Sequence, residues 1–267
     1  MRKLKLLNLG CGYKFHEGWI NIDFVSESPF VFKYNLLKGI PYPDNYFDAV
    51  YHSQVLEHFQ KKEASKFINE CYRVLKPGGV IRVVVPDLEN IASEYLRLVK
   101  ENIENLTDSS KADYEWIMLE MYDQTIRNKS GGEMSEFLKK PDIINKDFIE
   151  KRIGYYDKKK RDSLLSKNTP SRRSLVSKLL KKTGLILKSI FSTEKSRIGE
   201  LRTSGEIHYW MYDRYSLSVM LKETGFKDVK VKDPFSSSIP NWENYELDVK
   251  EGRVFDPSAL FMEAVKP

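Results

Sequence analysis

The strongest constraint on this chain is the run Leu6-Leu7-Asn8-Leu9-Gly10-Cys11-Gly12, followed a short way on by Asp23. Residues 4–9 read as a fully buried strand, the kind found in the middle of a parallel sheet. The Gly-Cys-Gly turn that ends it lets the backbone come close to a ligand. A second short run, Trp19-Ile20-Asn21-Ile22, then ends in the Asp23 carboxylate. A doubly wound α/β sheet holds an adenosine-containing ligand in this way. The glycines lie under the ligand, and the acid at the tip of the second strand accepts from ribose hydroxyls.

The spacing argues against a dinucleotide. Such a site needs G-x-G-x-x-G, and here Gly12 is followed by Tyr13-Lys14-Phe15. The turn instead resembles motif I of class I S-adenosylmethionine-dependent methyltransferases, and Asp23 resembles their ribose-binding acid. Further motifs follow in that family's order. Asn35-Leu36-Leu37-Lys38-Gly39-Ile40-Pro41 through Val50 looks like the stretch that wraps the adenine and enters the fourth strand. Val55-Leu56-Glu57-His58 looks like the helix start after it. Tyr72-Arg73-Val74-Leu75-Lys76-Pro77-Gly78-Gly79 resembles the turn before the fifth strand, and Val80 to Asp87 that strand. The resemblance covers residues 4–96 and returns over 205–265. Within the family it is nearest to type 11-like members from bacterial polysaccharide loci.

The resemblance implies a Rossmann-like doubly wound sheet, mostly parallel with an antiparallel last strand, plus an α-helical insertion. Residues 1–96 and 203–267 would form the methyltransferase domain, and 97–202 a helical, basic insertion or lid. It implies S-adenosyl-L-methionine as cofactor, bound by Gly10, Cys11, Gly12, Asp23, Asn35, Leu36 and Ser53. Asn35 stands where the family usually has Asp. It can accept through its amide oxygen but lacks the charge, and it also suits a turn cap. Only six residues separate Gly12 from Trp19, too few for the usual crossover helix. The first helix should be very short or absent, which would leave one side of the pocket open. Asn-Pro-Pro-aromatic, common in methyltransferases acting on planar amines, is absent after the fourth strand.

The charge is uneven. Residues 151–202 hold sixteen Lys and Arg against four Asp and Glu, a net of +12 in a chain whose total is +6. Residues 157–170 read as a mobile linker. Over 171–192, Leu175, Leu179, Ile186 and Ile190 recur at helical spacing among basic residues, with no acid. That pattern fits an interfacial helix on an anionic membrane, or a lid with its lysines in water. Nucleic acid is less favoured, because Phe191 is the segment's one aromatic residue. Asp123, Gln124 and Arg127, before Gly131-Gly132, read either as a surface salt bridge beside a helix cap or as an acceptor-binding cluster on a lid. No apolar run approaches a membrane span. Cys11 and Cys71, far apart, suit neither a disulfide framework nor a zinc site. The expected location is cytoplasmic, with peripheral contact at the inner face of the membrane.

Two histidines are candidate general bases for a hydroxyl acceptor, His208 first and His58 second, because imidazole titrates near neutrality. No sequence spacing of His, Cys and carboxylates suggests a metal. The expected function is methyl transfer to a sugar of a surface glycan or its precursor. The alternatives are a methyltransferase-fold binding protein without activity, motivated by the short crossover and Asn35, and a nucleic-acid methyltransferase or binder, motivated by the basic segment.

Overall fold

Strand β1 (Leu6–Leu9) lies between β2 (Ile20–Asp23) and β4 (Phe47–Ser53), parallel to both, with Leu7 opposite Ile20 on one side and Val50 on the other. The computed structural model describes residues 3–26, 28–154 and 194–267. β3 (Val31–Lys33) pairs with β2, and β5 (Leu75–Pro86) with β4, again in parallel. β9 (Ala259–Val265) is antiparallel to β5, and β6 (Lys227–Lys232) pairs antiparallel to β9 at the far edge. The sheet order is β3-β2-β1-β4-β5-β9-β6. This is a mostly parallel, doubly wound sheet with one reversed strand, as expected. A small hairpin, β7 (Val249–Lys250) and β8 (Arg253–Val254), stands apart.

No helix joins β1 to β2. Two buried asparagines take over its role. The Asn8 side chain donates to the Lys14 carbonyl and to Asn21 Oδ1, and the Asn21 amide donates to the carbonyls of His16 and Trp19. The loop's carbonyls are thereby satisfied without a helix, as burial demands. This explains the polar residues inside two strands that are otherwise apolar.

Helix α1 (Lys61–Val74) covers one face of the sheet, burying Ala64, Phe67, Ile68, Cys71 and Val74 against Leu7, Val50 and Ile81. Each fully buried aliphatic or aromatic side chain there contributes roughly 1.5–3 kcal/mol. Helix α7 (Arg214–Thr224) packs beside it. Asp213 caps its start by accepting from the Ser216 N–H, and Gly225 ends it in a left-handed conformation. The opposite face is covered by aromatics: Trp19 meets Tyr51 and Trp242 edge to face, those two lie tilted against each other, and Leu247 and Phe261 surround them. The long connection before β9 thus packs on this face through Ile239, Trp242 and Leu247.

Between β5 and residue 154 the chain is helical: α2 (Leu88–Glu104), α3 (Asp108–Ile126), α4 (Gly132–Leu138) and α5 (Lys146–Ile153). Their core is Trp116, Phe137 and Ile149, with a buried Arg152–Glu120 pair at 2.7 Å. α3 ends at Ile126, five residues before the glycine pair. Gly131, left-handed at φ 75°, opens α4 instead of closing α3. Helix α6 (Glu194–Thr203) leads back to the sheet. The linker and basic helix expected at 157–170 and 171–192 lie outside the described residues. Among the described residues no helix is long and apolar enough to cross a membrane.

Candidate functional site

A cleft of about 510 Å³ opens at the carboxyl ends of β1, β2 and β4, where a doubly wound sheet binds ligands. Gly10, Asp23, Asn35 and Leu36 all line it. Gly10 has φ +61°, and a Cβ there would stand 2.4 Å from Val55 Cγ2, so the turn admits no side chain. Asp23 Oδ2 accepts from the Gly12 N–H at 2.8 Å and Oδ1 from the Val25 N–H at 2.9 Å. A carboxylate has about four acceptor positions, so two remain for a ribose diol. Asn35 caps the short 3₁₀ turn Leu36–Lys38 by accepting from the Leu37 N–H, the turn-cap role its sequence allowed. Phe24, Val25 and Leu37 stand exposed at the mouth of the cleft. Exposed apolar side chains gathered at a cleft mark a binding surface.

Cys11, Gly12 and Ser53 lie beside the cleft rather than in its wall. Cys11 is buried, and burial together with the Asp23 carboxylate pushes its thiol up to about 12. Such a thiol is inert at neutral pH. Gln54 forms the wall beyond β4. It holds a left-handed φ of 56°, a strained state for a residue with a side chain, and strain of this kind gathers at ligand sites. The opposite wall comes from the return of the insertion: Arg202, Ser204, Gly205 and Tyr209. Sequence periodicity could not place this wall, because it is brought there by long-range contacts. The Tyr209 N–H donates to the Glu57 carbonyl and the His208 N–H to the Gln124 carbonyl.

The two candidate bases meet. The His58 and His208 rings pack edge to face with centroids 4.7 Å apart. His58 lines the cleft, and His208 is buried behind it. His58 Nδ1 lies 3.1 Å from the Ile207 carbonyl, so that nitrogen carries the proton and Nε2 the lone pair. Gln124 Nε2 lies 2.9 Å from His208 Nε2. Burial lowers both pKa values, that of His208 to about 3, with His58 and Arg127 adding to the effect there. Both rings are therefore neutral at pH 7.

Glu57 is the residue that the sequence reading passed over. It is fully buried, and neither carboxylate oxygen meets a hydrogen-bond donor at bonding geometry among the described residues. Burial pushes it up to about 8, against the weaker pull of nearby backbone N–H groups. The Tyr212 hydroxyl is likewise buried and without a partner among the described residues. One signal was available: an acid directly before the candidate His58, in a run that is otherwise apolar.

Asp123 and Arg127 form a buried pair at 2.7 Å, not a surface one. Asp123 also accepts from the Glu133 N–H, and Arg127 Nη1 donates to Glu206, which accepts from the Gly131 N–H. The pair thus clamps the turn between α3 and α4 and holds residue 206 next to the histidines.

Residues 24–83 match the protein-family model described as Methyltransferase domain. A curated relative from Mycolicibacterium smegmatis, named as an S-adenosylmethionine-dependent methyltransferase, is 43% identical over 51 residues. That alignment covers 19% of each chain, so this chain spans about a fifth of that relative's length. Among solved structures, a SAM-dependent methyltransferase from Thermotoga maritima aligns over 100% of this chain and 84% of its own, at 12% identity and a TM-score of 0.41. One from Archaeoglobus fulgidus aligns over 98% of this chain and 86% of its own, at 15% identity and a TM-score of 0.39. Asn35, Leu36, Gln54, Glu57 and His58 all lie within the stretch that the family model matches, and Asp23 lies immediately before it.

Proposed function

We propose that this protein is an S-adenosylmethionine-dependent methyltransferase. The observation that carries the reading is Asp23. It sits at the tip of β2, fixed by the Gly12 N–H, with acceptor capacity facing a cleft of cofactor size. When bound, the cofactor supplies a methyl group on a cationic sulfur, already activated for transfer. Asp23 would hold the ribose hydroxyls, and Gly10 would allow the close backbone approach. Asn35 and Leu36 would flank the adenine, while Phe24, Val25 and Leu37 would exclude water from it.

The chemistry left to the protein is mainly positioning. For a hydroxyl acceptor, His58 is the neutral imidazole at hand in the cleft wall, with His208 behind it setting its orientation. The acceptor proposed is a sugar of a surface glycan or its lipid-linked precursor. Two features support it: the helixless crossover from β1 to β2, and the basic, amphipathic pattern of residues 171–192, which suits an anionic membrane.

Calorimetric titration with S-adenosylmethionine tests the cofactor, with Asp23→Ala as the control. Micromolar binding abolished by the substitution supports the reading and justifies screening nucleotide sugars and glycans. No binding at millimolar cofactor favours a binding protein that kept the fold without the reaction.

A further inference from the structure

The turn after β4 and the return from the insertion bring Glu57, His58 and His208 together. One ligand-type atom from each lies within 4.8 Å of the others. Glu57 and His58 are neighbours in sequence, but His208 lies 150 residues beyond His58, which is why no spacing revealed the three together. We propose that these three side chains form a binding site for a first-row divalent transition ion of the zinc or manganese kind.

Three observations carry this. First, Glu57 is a buried carboxylate without a hydrogen-bond donor among the described residues. Buried carboxylates are otherwise paired or hydrogen-bonded, and a cation supplies the missing partner. Second, His58 Nδ1 is held by the Ile207 carbonyl, which leaves Nε2 with its lone pair. A ligating histidine is usually fastened in this way, through its other nitrogen. At His208 the Gln124 amide nitrogen lies against Nε2, and turning that amide over so that its oxygen accepts from Nε2–H would leave Nδ1 free to ligate. Third, the donor set is two imidazoles and one carboxylate, without thiolate, which suits zinc, manganese or iron rather than magnesium or calcium. Three protein ligands leave at least one position of a tetrahedral ion open, and His58 lies in the cleft wall.

The binding claim is independent of the methyl-transfer reading. Its consequence rests on that reading: the ion would hold the acceptor's oxygen, and His58 would act as ligand instead of base.

The chain has four histidines, which makes the test small. The full-length protein, stripped with chelator and dialysed, is titrated calorimetrically with Zn²⁺ and with Mn²⁺. Co²⁺ is added separately and its visible d–d absorption recorded. The expected result is one equivalent bound, with E57Q and H208N each weakening it roughly tenfold or more. H16N, which alters the half-buried histidine of the loop between β1 and β2, away from the cluster, should leave it unchanged. Circular dichroism without metal shows whether each variant folds. If H208N does not, E57Q and the metal-induced rise in melting temperature decide. Absence of saturable binding overturns the site, as does binding that survives E57Q and H208N. Cofactor titration of the stripped protein separates the two claims, because Asp23 and its cleft should bind S-adenosylmethionine without the ion.

Discussion

Tyr51 and His52 are neighbours on β4 and point to opposite faces of the sheet, and the buried charged or titratable side chains around them are treated in opposite ways. On the Tyr51 side, Arg82 is fully buried with every guanidinium nitrogen hydrogen-bonded. It donates to Asp248 at 2.7 Å, to Glu263 at 2.8 Å, and to the carbonyls of Ser236 and Asp233. The Tyr51 hydroxyl completes Asp248 at 2.6 Å, and the Ser238 N–H supports Glu263. On the other face, Glu57, Tyr212 and both nitrogens of His52 are buried with no partner among the described residues. The first arrangement is finished within the chain and serves architecture. It ties β4, β5 and β9 to the long connection over residues 233–248. The second is incomplete within the chain, and at Glu57 it borders the cleft. Burial of polar groups is thus no guide to function by itself, whereas the state of their hydrogen bonds is.

The sharpest test of the contrast is to remove one member of each set. Arg82→Ala leaves Asp248 and Glu263 buried without the guanidinium they share. It should cost about 3–5 kcal/mol of stability, the usual price of breaking a buried ion pair. Urea denaturation measures it, and a loss below about 1 kcal/mol would show that the network is relieved by water and is not architectural. Asp23 is the intermediate case, with two hydrogen bonds from the chain and the rest of its capacity turned to the cleft. Asp23→Ala should leave the fold intact and weaken S-adenosylmethionine by roughly ten- to a hundredfold, since a hydrogen bond to a charged group contributes about 1.5–3 kcal/mol. Unchanged affinity would mean that the carboxylate serves only the Gly12 and Val25 N–H groups.

Glu57→Leu should behave in the opposite sense to Arg82→Ala. Replacing an unsatisfied buried acid by an apolar side chain of similar size removes a desolvation cost, so the metal-free protein should be as stable or more stable, by about 1 kcal/mol. Chemical denaturation in chelator measures this. A loss of several kcal/mol would reveal a hidden donor to Glu57 and place it with Arg82 on the architectural side.

The sheet was legible because parallel strands buried on both faces need apolar runs, and β1, β4 and β5 supply them in the order that the fold requires. The place of Asp23, Asn35 and Leu36 in the cleft wall was legible because a strand's carboxyl end is a local property. The sequence places the third helix at 111–128 with Gly131-Gly132 as its stop signal, whereas α3 spans Asp108–Ile126 and stops ahead of those glycines. In the structure those glycines permit contact with Asp123, where a Cβ on Gly132 would lie 2.2 Å from an Asp123 oxygen. Arg82 and Asp248 were passed over because an ion pair spanning 166 residues leaves no periodic trace. The wall formed by Arg202 and Tyr209, and the meeting of His58 with His208, were hidden for the same reason.

His52 gives the smallest effect and tests the unsatisfied face without touching the cleft. Its ring packs edge-on to Phe67, and burial lowers its pKa from 6.5 to about 3. In the window between those values the unfolded chain binds a proton that the folded chain refuses, so stability rises with pH there and is lost as pH falls through 6.5. From pH 7 to pH 6 the loss attributable to this one residue stays below about 1 kcal/mol. His52→Leu keeps the packing against Phe67 and deletes the titration. Subtracting the variant's stability from the wild type's at each pH cancels every group they share, including His208, whose shift has the same sign. The difference should steepen in favour of the variant below pH 6.5 and level off near pH 3. A flat difference would mean that His52 is protonated as readily in the fold as in the open chain. The ring would then have a partner, and the two faces of β4 would be alike after all.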